Sequence, residues 1–307
     1  MLCFIDETIK NITPHATENG IFTTQISDLS IIRSDSITQE LHTLHEPAIC
    51  IVVQGKKRVM LGQNIFEYDR SKYLSVSFDL PLTGQVIEAS QEQPYLCIKL
   101  NIDTPLSADL IMDMDNEHIQ PMEKVSSSGL QVEQATSTIL DPIMRLTALL
   151  NHPKDIKILA PSIKRELLYR ILSGPSGYHL MAKSLGSGKS KQIANAIAWI
   201  KSNFNQPFNA ETIAKEAYLS VSTFHKYFKE ITLTSPLQFQ KHLRLQEARR
   251  LMAFEGLDAA KASGIVGYES PSQFNREYKR VFGASPKADI QKLIIEKTPY
   301  SASKSLF

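Results

Sequence analysis

Two groups of polar side chains, fifty residues apart, have the types and spacing that contacts with DNA require. Each group lies at the start of a helix that follows a short helix and a turn. Arginine and lysine pair with guanine in the major groove, asparagine and glutamine pair with adenine, and serine and threonine reach base edges or phosphates. The groups are Ser222, Thr223, His225, Lys226 and Lys229, and Ser272, Gln273, Asn275, Arg276 and Lys279.

Two aromatic residues, spaced four apart, accompany each polar group. Phe224 and Phe228 occupy the first helix, and Phe274 and Tyr278 occupy the second. Because residues four apart lie on one face of a helix, these rings must face a core, and the polar groups then project outward. Helix, turn and helix is the shape that enters a major groove, so two copies predict a reader of two adjacent grooves. The alternative is two solvated faces of a helical bundle.

Charge divides the chain unevenly. Of 34 Lys and Arg and 32 Asp and Glu, residues 191–307 hold 17 basic and 10 acidic side chains, and residues 1–190 hold 17 and 22. A basic C-terminal third predicts a polyanionic partner for that part alone. It also favours DNA contact over the bundle alternative.

Residues 21–102 read as short strands separated by turn residues. The runs 49–54, 57–61, 73–78 and 95–100 are rich in β-forming residues. Many short strands with turns between them predict a sandwich or a small barrel.

A helical hairpin is predicted after the strands. One helix would precede the break at Asn151-His152-Pro153, and a second would begin at Pro161 and end at Gly174. The first carries an apolar stripe, which predicts either intramolecular core or the seam of a homodimer. The stripe consists of Ile139, Ile143, Leu146 and Leu150.

These patterns predict an α+β protein of two domains. The boundaries are a strand-rich domain at 1–183, a linker at 184–191 and a helical domain at 192–307. Within the last, the helix-turn-helix units fall at about 209–230 and 257–282, on either side of a connecting helix at 236–252. The linker contains Gly-Lys-Ser but lacks the earlier glycine of a phosphate loop, since position 183 is Lys.

Residues 192–290 resemble the DNA-binding domain of AraC/XylS-family transcription regulators. The matching stretches are 235–251 and 266–286, the second of which reads Val-Gly-Tyr-Glu-Ser-Pro-Ser-Gln-Phe-Asn-Arg-Glu-Tyr-Lys-Arg-Val-Phe-Gly-Ala-Ser-Pro. The resemblance implies two helix-turn-helix units joined by a long helix. The chain departs from the family at Ala259, Ala262 and Ser263, where β-branched residues and an alanine are usual, so we expect a less well packed second unit.

Residues 40–182 resemble the N-terminal domain of one AraC-type branch, in the stretches 46–57, 77–84 and 159–174. This resemblance implies a cupin-like barrel that holds a small-molecule effector, with helices that dimerise. Cupin enzymes bind a metal through a His-x-His pair, whereas His42 and His45 would point to opposite faces of a strand. We therefore expect no metal, no cofactor and no catalytic residue.

Five residues of the strand region are candidates for the effector site. The two cysteines among them are either small buried hydrophobes or reactive sensors, and the two tyrosines are either cavity wall or ordinary core. The candidates are His45, Cys50, Tyr73, Tyr95 and Cys97.

The whole pattern predicts a cytoplasmic, effector-controlled transcription regulator. Its expected partners are double-stranded promoter DNA, a second copy of the chain and RNA polymerase, without a membrane. The alternatives are a cupin-type metal enzyme with an accessory nucleic-acid-binding tail and an architectural DNA protein without an effector.

Overall fold

The computed structural model describes residues 2–114, 128–174, 177, 180 and 188–295. The chain forms two compact units, which, apart from residues 42–44, divide between Lys191 and Gln192. The first contains strands and helices and the second is helical, so the predicted two-domain α+β class is confirmed. No helix in the described part of the chain is long and apolar enough to cross a membrane.

Ten described strands form two sheets. They are β1 (Gly20–Thr23), β2 (Leu29–Ser34), β3 (Leu41–His45), β4 (Ala48–Gln54), β5 (Lys56–Leu61), β6 (Asn64–Asp69), β7 (Lys72–Val76), β8 (Leu80–Glu88), β9 (Tyr95–Asn101) and β10 (Leu130–Gln134). The larger sheet has the order β1-β2-β9-β4-β7-β10, and the smaller has the order β3-β8-β5-β6. Strand β4 pairs antiparallel with both β7 and β9.

Strand β4 is central, and its residues are buried on both faces as far as Val53. Ile49, Ile51 and Val53 belong to the core that the larger sheet shares with the helices. Cys50 and Val52 point to the opposite face, because side chains alternate along a strand. Gly55 then turns the chain at a φ of +78°, where a Cβ would lie 2.4 Å from the carbonyl oxygen of Glu88.

Four helices complete the described part of the first unit: α1 (Leu2–Ile12), α2 (Thr104–Asp113), α3 (Ser137–Ala148) and α4 (Pro153–Leu172). The prediction that a helix begins at Pro161 is wrong, because α4 begins at Pro153 and continues through Pro161. Proline removes one hydrogen bond of a helix. Packing of Ala160, Ile163 and Leu167 in the core on either side of it keeps the helix intact.

The predicted dimer stripe lies inside the first unit. Ile139, Ile143, Leu146 and Leu150 are at most 5% exposed and belong to one core with strands of the larger sheet. The interpretation of these residues as a seam between two chains is therefore wrong. An apolar helix face must be covered, and α1 and α4 of the same unit pack against this helix.

The described helices from Gly188 onward are α5 (Gly188–Ser202), α6 (Ala210–Glu216), α7 (Val221–Thr232), α8 (Pro236–Phe254), α9 (Ala259–Ile265), α10 (Pro271–Phe282) and α11 (Pro286–Ile295). Residues 184–187 of the predicted linker lie outside the described residues, and residues 188–191 are the first turn of α5. The long helix predicted from Pro236 is present as α8.

Replacing Leu146 with alanine should destabilise the first unit by about 2–5 kcal/mol, because it leaves a cavity in a closed core. The free energy of unfolding in urea measures the effect. Leu2→Ala on α1 is the matched control, because Leu2 is 58% exposed, and its cost should stay within about 0.5 kcal/mol. Equal costs for the two variants would contradict the placement of Leu146.

Candidate nucleic-acid interface

The first helix-turn-helix unit is α6, a four-residue turn and α7. The Asn209 side chain accepts a hydrogen bond from the Thr212 amide at 3.0 Å and is the N-cap of α6. Ser220 caps α7 through the Thr223 amide at 3.3 Å. These side chains satisfy amides that have no partner within the helix. Tyr218 reverses the chain between the helices at a φ of +56°.

The second unit is α9, a turn and α10. Asp258 caps α9 through the Lys261 amide at 2.8 Å, and Ser270 caps α10 through the Gln273 amide at 3.3 Å. Gly267 takes the reversing position at a φ of +86°. A Cβ there would lie 2.1 Å from the carbonyl oxygen of Asn205, so only glycine fits.

The two copies differ by one residue in the turn. The Leu219 amide donates to the Ala214 carbonyl at 2.9 Å, and the Tyr268 amide donates to the Ser263 carbonyl at 2.9 Å, 49 positions later. The capping serines of the following helices are 50 positions apart. The extra residue of the second turn is therefore Glu269, which is exposed.

Burial defines the outer face of α7 and α10. Phe224, Phe228, Phe274 and Tyr278 are each 0% exposed. Thr223 is half-buried, and its Oγ1 accepts a hydrogen bond from Ser220 Oγ at 2.8 Å. The remaining predicted DNA-contact residues are exposed: Ser222, His225, Lys226, Lys229, Ser272, Gln273, Asn275, Arg276 and Lys279.

The connecting helix α8 holds the second turn in place through Arg244. Its Nε donates to the carbonyl of Phe204 at 2.7 Å, and its Nη1 donates to the carbonyl of Gly267 at 2.8 Å. Gln240 also donates to the carbonyl of Phe204, at 2.9 Å. One guanidinium therefore joins the chain before the first unit to the turn of the second.

A buried polar network replaces aromatic packing behind the second recognition helix. Tyr278 Oη donates to Asp289 Oδ2 at 2.7 Å, and Arg249 donates to both carboxylate oxygens at 2.7 Å. The Arg249 and Asp289 side chains are 6% and 8% exposed. At the equivalent positions of the first unit, the rings of Phe228 and Phe239 pack edge to face, 5.3 Å apart.

Sequence reasoning missed these polar residues of the second unit. Arg244 and Arg249 read as surface charges on the long helix, yet both make buried or half-buried hydrogen bonds. The sequence contains an indication that Arg249 is buried, because this residue lies between the core residues Ala248 and Leu251 on α8. Charged residues are almost never fully buried unless they are paired.

The five effector candidates do not converge on one site. Cys50, Tyr95 and Cys97 point away from the helices, and Tyr68 of the smaller sheet lies beside them. Tyr73 is opposite Ile51 in the sheet and belongs to the helix-facing core. Tyr73 therefore does not share a face of the sheet with Cys50 and Cys97.

His45 lies next to Cys50, with Nε2 3.6 Å from Sγ and Nδ1 2.7 Å from the carbonyl oxygen of Glu46. Hydrogen bonding from the Cys97 thiol lowers the pKa of Cys50, burial opposes this, and His45 lowers the pKa further. Burial raises the pKa of Tyr95, whose hydroxyl has no hydrogen-bond partner among the described residues.

A separate groove of about 780 Å³ opens beside Tyr73. Its walls come from β6, β7, β10 and the ends of α3 and α4, and they include Lys72, Glu133 and Arg170. Tyr73 Oη donates to Glu133 Oε2 at 2.7 Å within it. Among the residues that the structure describes, no three His, Cys, Asp or Glu side chains are grouped so as to hold a metal ion.

Comparison with known proteins identifies the class. Residues 25–179 match the N-terminal domain of AraC-type transcriptional regulators, and residues 213–292 match a helix-turn-helix domain. The chain is 20% identical to the uncharacterised regulator YdeC of Bacillus subtilis (strain 168), over 92% of this chain and 96% of YdeC. It is 31% identical to the regulator AlkR of Acinetobacter baylyi over 96 residues, 31% of each chain.

The fold resembles that of ToxT from Vibrio cholerae O395, with a TM-score of 0.54 at 12% identity, covering 86% of this chain and 98% of ToxT. Since the N-terminal family match covers half of the chain, the protein belongs to the AraC family of transcriptional regulators. It is a DNA-binding transcription regulator, and the family is not one of enzymes.

Replacing Asp289 with alanine should destabilise the second helical unit by about 3–5 kcal/mol, because it leaves the Arg249 charge buried without its carboxylate. Chemical unfolding of the full chain measures the loss. Asp289→Asn is the graded control, because it keeps the shape and one acceptor, and it should cost less. An alanine variant as stable as the native protein would contradict a structural role for the network.

Proposed function

We propose that this regulator reads two successive major-groove segments of promoter DNA with the outer faces of α7 and α10. The observation that carries the proposal is the shared register of the two helices. Each buries aromatic rings four residues apart and exposes polar residues at the same positions, fifty residues away. The connecting helix α8 therefore joins two helices that expose polar residues in the same register. Such a repeat suits duplex DNA, whose major groove recurs along its length.

The contact that each side chain is proposed to make with DNA follows from its hydrogen-bonding groups and charge. Lys226 and Arg276 would donate to guanine, and Gln273 and Asn275 would pair with adenine. Ser222, Thr223, His225 and Ser272 would reach base edges or nearby phosphates. Lys229 and Lys279 lie one turn further along each helix, where a lysine suits a phosphate oxygen.

Replacing Arg276 with alanine should weaken binding to the preferred site by about 1–3 kcal/mol and relax the base preference at one position. Lys279→Ala is the contrasting variant, because loss of one phosphate contact should weaken all sequences alike and reduce the salt slope by about one. Fluorescence-anisotropy titrations on preferred and scrambled duplexes at several salt concentrations separate the two. Unchanged binding by the Arg276 variant would refute the proposed register.

A small-molecule effector for the first unit is the second part of the proposal. ToxT of Vibrio cholerae has been solved bound to (E)-4-(8-methylnaphthalen-1-yl)but-3-enoic acid and bound to an unsaturated fatty acid. In this chain, two features support a ligand: the groove beside Tyr73 and the unpaired hydroxyl of Tyr95 beside Cys50 and Cys97. An effector that prefers one state of the protein would shift its affinity for DNA by linkage.

The unpaired Tyr95 hydroxyl separates the two candidate effector locations. A buried hydroxyl without a partner costs about 1–3 kcal/mol, so Tyr95→Phe should raise the melting temperature of the ligand-free protein. If an effector supplies the missing partner, the same variant should lose the thermal stabilisation that the effector gives the native chain. Full stabilisation of the variant would assign the effector to the groove beside Tyr73.

The remaining partners are proposed on general grounds. A homodimer must use a surface other than the buried stripe of α3, and Ile158 and Leu159, 71% and 46% exposed on α4, are apolar candidates. RNA polymerase is the natural partner of a protein bound at a promoter. The free thiols Cys3, Cys50 and Cys97 suit the reducing cytoplasm.

A further inference from the structure

A chain of hydrogen bonds fixes the amide of Gln273 on the outer face of α10. Gln273 Nε2 lies 3.2 Å from Glu277 Oε1, one turn further along the helix. The same carboxylate accepts a hydrogen bond from Lys241 Nζ at 2.6 Å, and Tyr268 Oη donates to its other oxygen at 2.8 Å. Four side chains from α8, α10 and the turn before α10 thus form one connected set.

Glu277 is a fixed point in this set. Its side chain is 13% exposed, and it bridges to Lys241. Burial raises the pKa of Glu277, but the hydrogen bonds from Lys241, Tyr268 and Gln273 outweigh burial and lower it. The carboxyl group is therefore ionised near neutral pH, and an ionised carboxylate can only accept hydrogen bonds.

An acceptor-only partner decides which way the Gln273 amide points. Its NH₂ group must face Glu277, because the amide oxygen would meet the carboxylate with no hydrogen between them. The amide oxygen then points away from Glu277, and it has no partner among the described residues. Gln273 is exposed, so this oxygen is available to an incoming donor.

We infer that Glu277 is a positioning residue that makes Gln273 present an acceptor, so that the second recognition helix selects a base carrying an exocyclic amine. In the major groove, adenine N6 and cytosine N4 are donors, whereas guanine O6 and thymine O4 are acceptors. The inference rests on the proposed reading face of α10. It adds a preference for adenine or cytosine over guanine or thymine at the base that Gln273 meets.

The test is selection of preferred sites from a randomised duplex pool by the full chain and its variants. Gln273→Ala identifies the position, as the one at which base preference is lost. Glu277→Gln should relax that same position by on the order of tenfold, because a neutral amide at 277 accepts or donates and lets Gln273 turn either way. The other positions should keep their preferences. In the Gln273→Ala background, Glu277→Gln should have no further effect on base preference.

If Glu277→Gln lowers stability, two substitutions of the exposed residue Gln273 still test the inference. Gln273→Glu presents only acceptors and should retain the preference for adenine or cytosine, whereas Gln273→Lys presents only donors and should favour guanine or thymine. Tyr227→Phe, at the position equivalent to 277 in the first unit, should leave this base position unchanged.

The outcomes separate this inference from the proposed function. A chain that enriches no sequence would refute the reading faces themselves. Enrichment that Gln273→Ala leaves intact at every position would show that Gln273 does not read DNA. A base position whose preference depends on Gln273 but is unchanged by Glu277→Gln in a folded variant would overturn the role of Glu277. A change of base preference caused by Glu277→Gln at a different position, independent of Gln273, would overturn it as well.

Discussion

Burial of two aromatic rings on each recognition helix is the constraint on which the DNA-binding half of this molecule depends. An α-helix turns once in 3.6 residues, so fixing Phe224 and Phe228 against the core leaves only the positions around 222, 225, 226 and 229 outside. The same holds fifty residues later for Phe274 and Tyr278. Each ring contributes about 1.5–3 kcal/mol when fully buried. The outer residues can therefore vary in chemistry without changing how the helix is held.

This constraint explains why the recognition helices were predictable. The spacing of the aromatic residues, the serines that cap the helices and the repeat can all be seen in the sequence. Each depends on the spacing of residues within a short segment of the chain. The same reasoning failed for α3. Its apolar stripe correctly indicates that one face is covered, but spacing along one helix carries no information about what covers it. Ile143 and Leu146 lie in the core of their own unit, and a second chain would have produced the same pattern.

The sequence could not show which effector candidates lie on the same face of the sheet, for a related reason. Because side chains alternate along a strand, the sequence of β7 shows that Tyr73 and Leu74 point to opposite faces. Only the pairing of β7 with β4 shows that Tyr73 shares a face with Ile51 and not with Cys50. Strand register is a long-range property that depends on which strands meet. A shift of one residue exchanges every inward and outward side chain. The sequence therefore predicted the strands but not which tyrosines share a face of the sheet with the cysteines.

The two helix-turn-helix copies reach the same shape through different interactions. The first has Ile213 in α6 and a Phe228–Phe239 contact. The second has the smaller Ala262 in α9, and a hydrogen-bonded group of Tyr278, Asp289 and Arg249 in place of the aromatic contact. Apolar packing stabilises contacts in many relative orientations, whereas hydrogen bonds weaken steeply when their angles change.

The smaller side chain of Ala262 and the directional bonds of the second unit act in opposite directions. A smaller side chain at a core position contributes less to stability. Lys241 of the connecting helix bonds directly to Glu277 of α10, and Arg249 reaches Tyr278 of α10 through Asp289. These bonds restrict how α10 can rotate relative to α8. A reading helix must hold its side chains in place against base edges, so restricted rotation matters more for its specificity than total stability does. On this reasoning the hydrogen bonds of the second copy fix the orientation of its reading helix, where the first copy relies on aromatic packing.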